Sequence, residues 1–489
     1  MLSSNTVAIA SAGQPTAYPI APPFRMGEAY PEFRGRLEVG DEHDITYKLF
    51  RQLMRGLEMD INHFSSPSWN PLGEIIRPGQ KILIKPNLVT HLHLRGGNYQ
   101  AVVTHGSLVR CVLDYVALAL NGQGEIIVGD APIQSADFDK IVERTGLQEI
   151  CEDVAKTWEI PVRLVDFRLW SVRLDDEHQI VNGSALKGDP AGYVAVNLGE
   201  RSLLTLLNGQ CDRFRVTNYD CRELKEHHNS IKHEYLIPRA VLDADVVINL
   251  PKLKTHRKVG LTAALKNIVG INGHKDWLPH HRCGSLIEGG DEYKYPCRLK
   301  RIQTHFLERI DQNPYSRVNT MRRLANRILA RLNKYLAPDP FLEGSWFGND
   351  TLWRTVLDLN RILVYADKEG FMRESSQRQC FTVVDAIIAG EGEGPMEPES
   401  RSCGILAAGT NPAAMDSILC TMMGFDYRKI PLIASAFSIK DWPLVNFEPS
   451  EINISSSDDR WKSLKVGDAC TDFGFKPPSG WLGHVESYR

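Results

Sequence analysis

Between Pro251 and Asn267 the chain gathers Lys252, Lys254, His256, Lys266 and Asn267 just after one apolar run, Val246-Val247-Ile248-Asn249-Leu250. Lys252, Lys254 and His256 alternate with Leu253 and Thr255, so an extended backbone points all three to one side. Clustered ammonium groups suit phosphate or carboxylate as point charges, and a lysine crowded by others is fit for proton transfer through a lowered pKa. A solvated basic loop is the competing reading. Lys266-Asn267 sits in an otherwise apolar segment, Leu261 to Ile271, where such side chains need partners. Those partners are either a ligand or an internal ion pair of Lys266 with Asp130 or Glu391.

Other chemistry-bearing residues stand where apolar runs end. Lys85 and Asn87 follow Ile82-Leu83-Ile84, which Pro86 stops. Asp130 closes the run from Glu125 to Val128 in Gly-Asp-Ala-Pro; it positions a hydroxyl or metal, or caps the next helix. Thr104-His105 precedes a helix whose free N–H groups favour an anion, with a plain capping loop as the alternative. Glu391 and Glu393 alternate with glycines in GEGEGP (390–395, read from Gly390), where the backbone can approach a ligand closely. Two carboxylates there would bind Mg²⁺ or act as acid and base; a solvated turn competes with this.

The candidate catalytic residues are therefore Lys254, His256, Glu391 and Glu393. The candidate ligand-binding residues are Lys85, Asn87, Thr104, His105 and Asp130, with Lys252, Lys266, Asn267 and Asp416. His274, His280 and His281 form the most metal-like group, but adjacent histidines seldom bind one ion together, and no metal site is assigned. No cofactor follows from the motifs. A dinucleotide fingerprint fails at Pro395, and neither GxSxG nor a Walker sequence occurs.

The elements that must hold these residues read as an alternating α/β chain. Apolar runs at 81–84, 125–128, 162–166 and 246–250 have the length and branching of buried strands. Helical periodicity precedes them at about 44–59 and lies between them at about 108–118, 136–144 and 147–156. Strand–helix alternation implies a mostly parallel sheet flanked by helices, with ligands at the strands' carboxyl ends. A short strand at Val7–Ala10, a helix at about 350–366, strands at 381–388 and 404–408 and a helix opened by Asn411-Pro412 complete the pattern. The chain divides into an extended N-terminal arm (1–40), a first α/β half (41–167), a mostly β insertion (168–243) and the central motif segment (244–282). A polar, basic helical insertion (283–349), a C-terminal α/β half (350–430) and a loop-rich tail (431–489) follow.

Bulk properties exclude several classes. Of 489 residues, 43% are apolar and 24% charged, as in a soluble globular protein. A net charge of −3 gives no whole-chain basicity to argue for nucleic acid. No apolar run approaches the ~18–20 residues that cross a bilayer, and the N-terminus lacks a signal peptide's basic start and apolar core. The ten cysteines show no CxxC spacing, and a cytoplasmic protein is expected. One stretch, 317–336, is a basic amphipathic helix: Met321, Leu324, Ile328 and Leu332 form its stripe, and Arg317, Arg322, Arg323, Arg327, Arg331 and Lys334 are its only charges. Such a helix packs on the core, or makes a peripheral membrane or protein contact.

Taken in order, Lys85-Pro86-Asn87, Thr104-His105, Gly129-Asp130, PKLKTH (251–256), ALKNIVG (264–270), VVDAIIAGEGEGP (383–395) and NPAAMDSI (411–418) closely resemble the family called domain of unknown function 362. The resemblance covers roughly residues 75–166, 241–282 and 350–430. It implies a fold and site positions but no reaction. Some members carry a ferredoxin-like cysteine module; this chain has none, so iron–sulfur electron transfer is not carried over.

The expected function is an enzyme acting on an anionic small molecule, phosphorylated or carboxylated, in a cleft of mixed charge. One alternative is a metal-dependent proton-transfer isomerase, on a remote fold-level analogy to nickel-dependent lactate racemase. Another is a non-catalytic binding or scaffold protein that docks through residues 317–336.

Overall fold

The computed structural model describes residues 5–14, 16–40, 44–174, 180–216, 221–312, 319–468 and 473–487. At its centre lies a sheet of ten strands. Its spine is parallel, in the spatial order Gln379–Glu391, Val246–Leu250, Lys81–Pro86, Glu125–Asp130, Val162–Asp166. Past Gln379–Glu391 the sheet continues through Glu399–Gly409, antiparallel to it, then Thr6–Ser11 and Asn453–Ser456. The fold is α/β with a mostly parallel sheet. Among the described residues no helix is long and apolar enough to cross a membrane.

Continuous apolar runs form these strands because both faces of the sheet are covered. Leu83 and Val247 belong to one core, while Ile82, Ile84, Val246 and Ile248 belong to the other. Helices Leu352–Tyr365 and Pro412–Met422 cover the first face. Helices Thr46–Gly56, Gly106–Leu120 and Leu147–Trp158 cover the second. The chain leaves Lys81–Pro86 toward Glu125–Asp130 on one side, and Val246–Leu250 lies on the other side. That reversal of strand order opens a crevice at the carboxyl ends, where ligands of open α/β sheets bind.

One insertion differs from its sequence pattern. Residues 168–243, expected to be mostly β, are mixed. A hairpin (Trp170–Leu174 with Ile180–Ala185) and an antiparallel pair (Tyr193–Asn197 with Glu234–Pro238) flank the tight turns of Leu203–Arg213 and the helix Cys221–His227. Ser202 caps those turns, and Leu204, Leu207, Phe214 and Leu224 form a small core of their own. Short apolar alternation does not separate three-residue turns from strands. In the polar stretch after Asn272 a helix, Arg298–Asp311, packs on Asn319–Leu336. Leu299, Ile302, Phe306 and Ile310 repeat at helical spacing, a signal outweighed by the surrounding charge. Arg317 lies outside the described residues.

The N-terminal arm is packed rather than free. Tyr18, Phe24, Met26 and Phe33 are buried in the second core. The Tyr18 hydroxyl reaches a sealed ion pair in which Lys252 Nζ stands 2.7 Å from Asp385 Oδ2 and 2.8 Å from the Tyr18 oxygen. Tyr18 donates to the other Asp385 oxygen. With Lys252 replaced by methionine, the Asp385 carboxylate would stay buried without its cation, a loss of about 3–5 kcal/mol. Urea unfolding of Lys252→Met should therefore show a much lower midpoint, partly restored in Lys252→Met/Asp385→Asn. A single variant that unfolds at the wild-type midpoint would show that the pair does not hold the arm.

Candidate functional site

A cavity of about 540 Å³ occupies the crevice. Its floor is Lys85, whose Nζ donates to Asp130 Oδ1 at 2.7 Å, to Asn267 Oδ1 at 3.2 Å and to the Pro86 carbonyl at 3.0 Å. Asp130 is filled from its own side as well, accepting the Leu88 N–H at 2.7 Å and the Ala131 N–H at 2.9 Å. Gly270 must be glycine here, because a Cβ would lie 1.8 Å from Asp130 Oδ1 and 2.5 Å from Lys85 Nζ. Asn267 ties the floor to the next strand through Asn249, at 2.8 Å.

One wall is the strand Lys252–His256, paired with Gly260–Thr262 and with Gln379–Glu391. The register against Gln379–Glu391 slips between Lys252 and Lys254, and the two amines part company there. Lys252 goes to Asp385, away from the cavity, whereas Lys254 and His256 line it. Among the described residues Lys254 donates only to neutral groups, the Val102 carbonyl and Asn87 Oδ1. The Lys258 N–H donates to His256 Nδ1 at 3.1 Å, which leaves the imidazole proton on Nε2. His280 has the opposite tautomer, its Nδ1 held 2.7 Å from the Leu278 carbonyl.

A second wall is the short turn Ala264–Asn267. Asp416 accepts the Ala264 and Leu265 N–H groups at 2.7 and 3.1 Å and is itself fully buried, which pushes its carboxyl up to about 7. Asp416 does not line the cavity; it fixes the turn that carries Lys266. Lys266 Nζ makes no hydrogen bond or ion pair with any described residue. Lys275 adds another amine, with the Val269 carbonyl at 3.4 Å as its one hydrogen-bond acceptor among the described residues. The roof is largely apolar: Leu307 and Ile310 from one helix, Val172 and Ile180 from the hairpin, and Met396, with Arg323 and Arg327 between them.

Charge in this cavity is lopsided. Five lysines and three arginines line it, against Asp130 as the one carboxylate among the described lining residues. Burial, reinforced by neighbouring cations, drives the amines toward their neutral forms. Lys258 and Lys266 fall to about 8, Lys275 to about 7, and Lys254 lies well below its ordinary value. Lys85 is lowered by burial too, with Asp130 opposing. Burial likewise holds His256 and His280 well below the usual imidazole range.

Several residues singled out by sequence lie elsewhere. Thr104 is structural: its hydroxyl donates to the Leu250 carbonyl at 2.6 Å and accepts the Asn87 N–H at 3.0 Å. His105 caps Gly106–Leu120, stacks on Tyr18 with centroids 4.0 Å apart, and is driven by burial to about 3. Glu391 accepts the Lys476 N–H at 3.0 Å and Glu393 the Ser479 N–H at 2.7 Å, so both acids turn toward the C-terminal tail. Only Pro395 and Met396 of that loop reach the cavity. The cleft is cationic rather than of mixed charge. The three histidines at 274, 280 and 281 do not converge: His274 packs near Trp277, His280 lines the cavity, and His281 pairs with the strand at Phe214–Arg215.

Sequence reasoning passed over Lys258 and Lys275. Lys258 continues the two-residue repeat of Lys252, Lys254 and His256, a signal that was present. Lys275 stands in a polar stretch and gives none. Because Lys275 drops from 10.5 to about 7 on folding, the unfolded chain takes up a proton over that range that the native amine refuses. Its contribution to stability therefore falls as pH is lowered from about 10 toward 7 and levels off below that. Lys275→Met should raise unfolding stability at pH 7 by about 1–2 kcal/mol and flatten the pH dependence. An unchanged slope between pH 7 and 10 would exclude this account of Lys275.

Residues 82–172 and 173–421 match the family described as Domain of unknown function (DUF362). A curated relative, the thylakoid-associated protein sll1697 of Synechocystis, is 24% identical over 263 residues, or 53% of this chain and 56% of the relative. The match thus spans about half the length of each. Among solved structures, a Thermotoga maritima protein aligns with 67% of this chain and 50% of its own, at 12% identity and a TM-score of 0.26, and that likeness carries no argument here. Every residue lining the cavity falls within the family match, and the chain belongs to the DUF362 family.

Proposed function

We propose that this protein is an enzyme acting on an anionic small molecule, phosphorylated or carboxylated, bound in the lysine-lined cavity. The observation that carries this reading is the set Lys254, Lys266 and Lys275: three buried or half-buried amines, none in an ion pair with a described residue. Desolvating amines without counter-ions is costly, and a bound oxyanion would supply the missing charge. The volume suits a small metabolite. The roof of Leu307, Ile310, Val172 and Met396 suits an apolar portion of that molecule.

Lys266 and Lys275 would hold the anion while protonated. Lys254, whose surroundings bias its amine toward the neutral form, would serve as base, with His256 offering an N–H and His280 an unprotonated Nε2. Asp130 would act indirectly, by orienting Lys85. The nine described cysteines are unpaired thiols, which suits a reducing compartment such as the cytoplasm.

A thermal-shift panel of phosphorylated and carboxylated metabolites tests this at pH 6.5 and 9. At least one compound should raise the melting temperature, more at pH 6.5, because the amines at about 7 and 8 lose their charge as pH rises. Lys266→Ala should weaken that binding by on the order of tenfold or more, the loss of one charged hydrogen bond. Conversion of the bound compound, followed by NMR, should fall on the order of a hundredfold in Lys254→Met. Glu393→Ala should change neither. If no anion stabilises the protein, or Lys266→Ala binds as well as wild type, the reading fails.

A further inference from the structure

The helix Asn319–Leu336 is folded inside out. Its polar side meets the protein: Arg323, Asn326 and Arg327 line the cavity, and Asn333 is buried against Gln303. Its apolar side meets solvent. Met321 is 77% exposed, Leu324 58%, Ile328 53%, Leu332 41% and Tyr335 79%. These positions recur every three or four residues, so they form one stripe along the helix. Scattered exposed leucines need no explanation, but a continuous apolar face left in water marks an interaction surface.

The charges say what covers it. The helix carries Arg322, Arg323, Arg327, Arg331 and Lys334 and has no acidic residue. Helical geometry sets Arg322 along one border of the stripe and Arg331 along the other. We propose that this face docks on an anionic lipid bilayer, the stripe entering the boundary between headgroups and acyl chains. Arg331 at the border of the stripe would reach outward to a lipid phosphate, and Tyr335 would sit with its ring in the apolar layer and its hydroxyl at the headgroups. A second copy of the chain fits less well, since a two-fold contact through this face would bring the two basic borders together. The inference stands apart from the cavity reading, because it uses the opposite side of the helix.

Co-sedimentation of the full-length protein with vesicles tests it, using phosphatidylcholine alone and phosphatidylcholine mixed with phosphatidylglycerol. The protein should pellet with the anionic vesicles, less so with the neutral ones, and less as salt rises. Leu324→Glu/Ile328→Glu should weaken binding by on the order of tenfold or more. Both positions are exposed, so circular dichroism and the melting temperature should stay at wild-type values. Absence of binding to anionic vesicles overturns the proposal, as does equal binding by the double variant. A wild-type dimer in solution that the double variant abolishes, with no vesicle binding, would assign the face to a second copy instead.

Discussion

Lys85 gives its ammonium to Asp130 at a nearly buried point of the sheet, 2.7 Å away, and the cavity is arranged around that fact. The pair is worth keeping in the interior only because each partner is also hydrogen-bonded elsewhere: Asp130 by two backbone N–H groups, Lys85 by Asn267 and the Pro86 carbonyl. Gly270 exists to let the next turn pass over it. Once Asp130 is spent on Lys85, no carboxylate among the described lining residues remains for Lys254, Lys266 or Lys275. Their depressed pKa values come first from burial, which no nearby carboxylate offsets in full. The cavity is thus short of negative charge by construction.

The lysines and carboxylates divide into those that build and those that are left over. Lys252 and Asp385 satisfy each other and, through Tyr18, anchor the N-terminal arm across the back of the site. Asp416 spends both oxygens on the turn beneath Lys266, while Thr104 spends its hydroxyl and His105 a ring nitrogen on the loop and helix behind Asn87. Each of these groups is hydrogen-bonded as a structural residue should be. Lys254, Lys266 and Lys275 are the exception in having no carboxylate partner among the described residues. Their exposure to the cavity, rather than their residue type, sets them apart from Lys252.

The loop Glu391–Pro395 shows the same sorting through its backbone. The Gly392 carbonyl accepts the Thr255 hydroxyl at 2.8 Å and the Gly394 carbonyl accepts the Arg257 N–H at 3.1 Å, so the main chain faces the basic strand. The side chains of Glu391 and Glu393 then have to leave on the other side, where backbone N–H groups of the C-terminal tail receive them. A segment without evident role in the sequence turns out to supply the partners that keep two acids out of the cavity.

Sequence alone determined the layers and the strand ends at which the cavity lies. Runs such as Ile82–Ile84 and Val246–Ile248 are apolar without interruption, which only a sheet covered on both faces tolerates, and a proline follows each shortly after polar residues begin. The period of side-chain direction is local, so it can be read locally. Which of the polar residues face the cavity was not local. Lys252 and Lys254 share a strand and a spacing, and a register slip against a strand more than a hundred residues later sends one to a sealed ion pair and the other to the cavity. The apolar stripe of Asn319–Leu336 is equally legible as a pattern, yet its direction depends on what the helix packs against. Periodicity states that a helix has two faces; only the tertiary structure, by placing Arg323 and Arg327 over a cavity, decides which of them meets water.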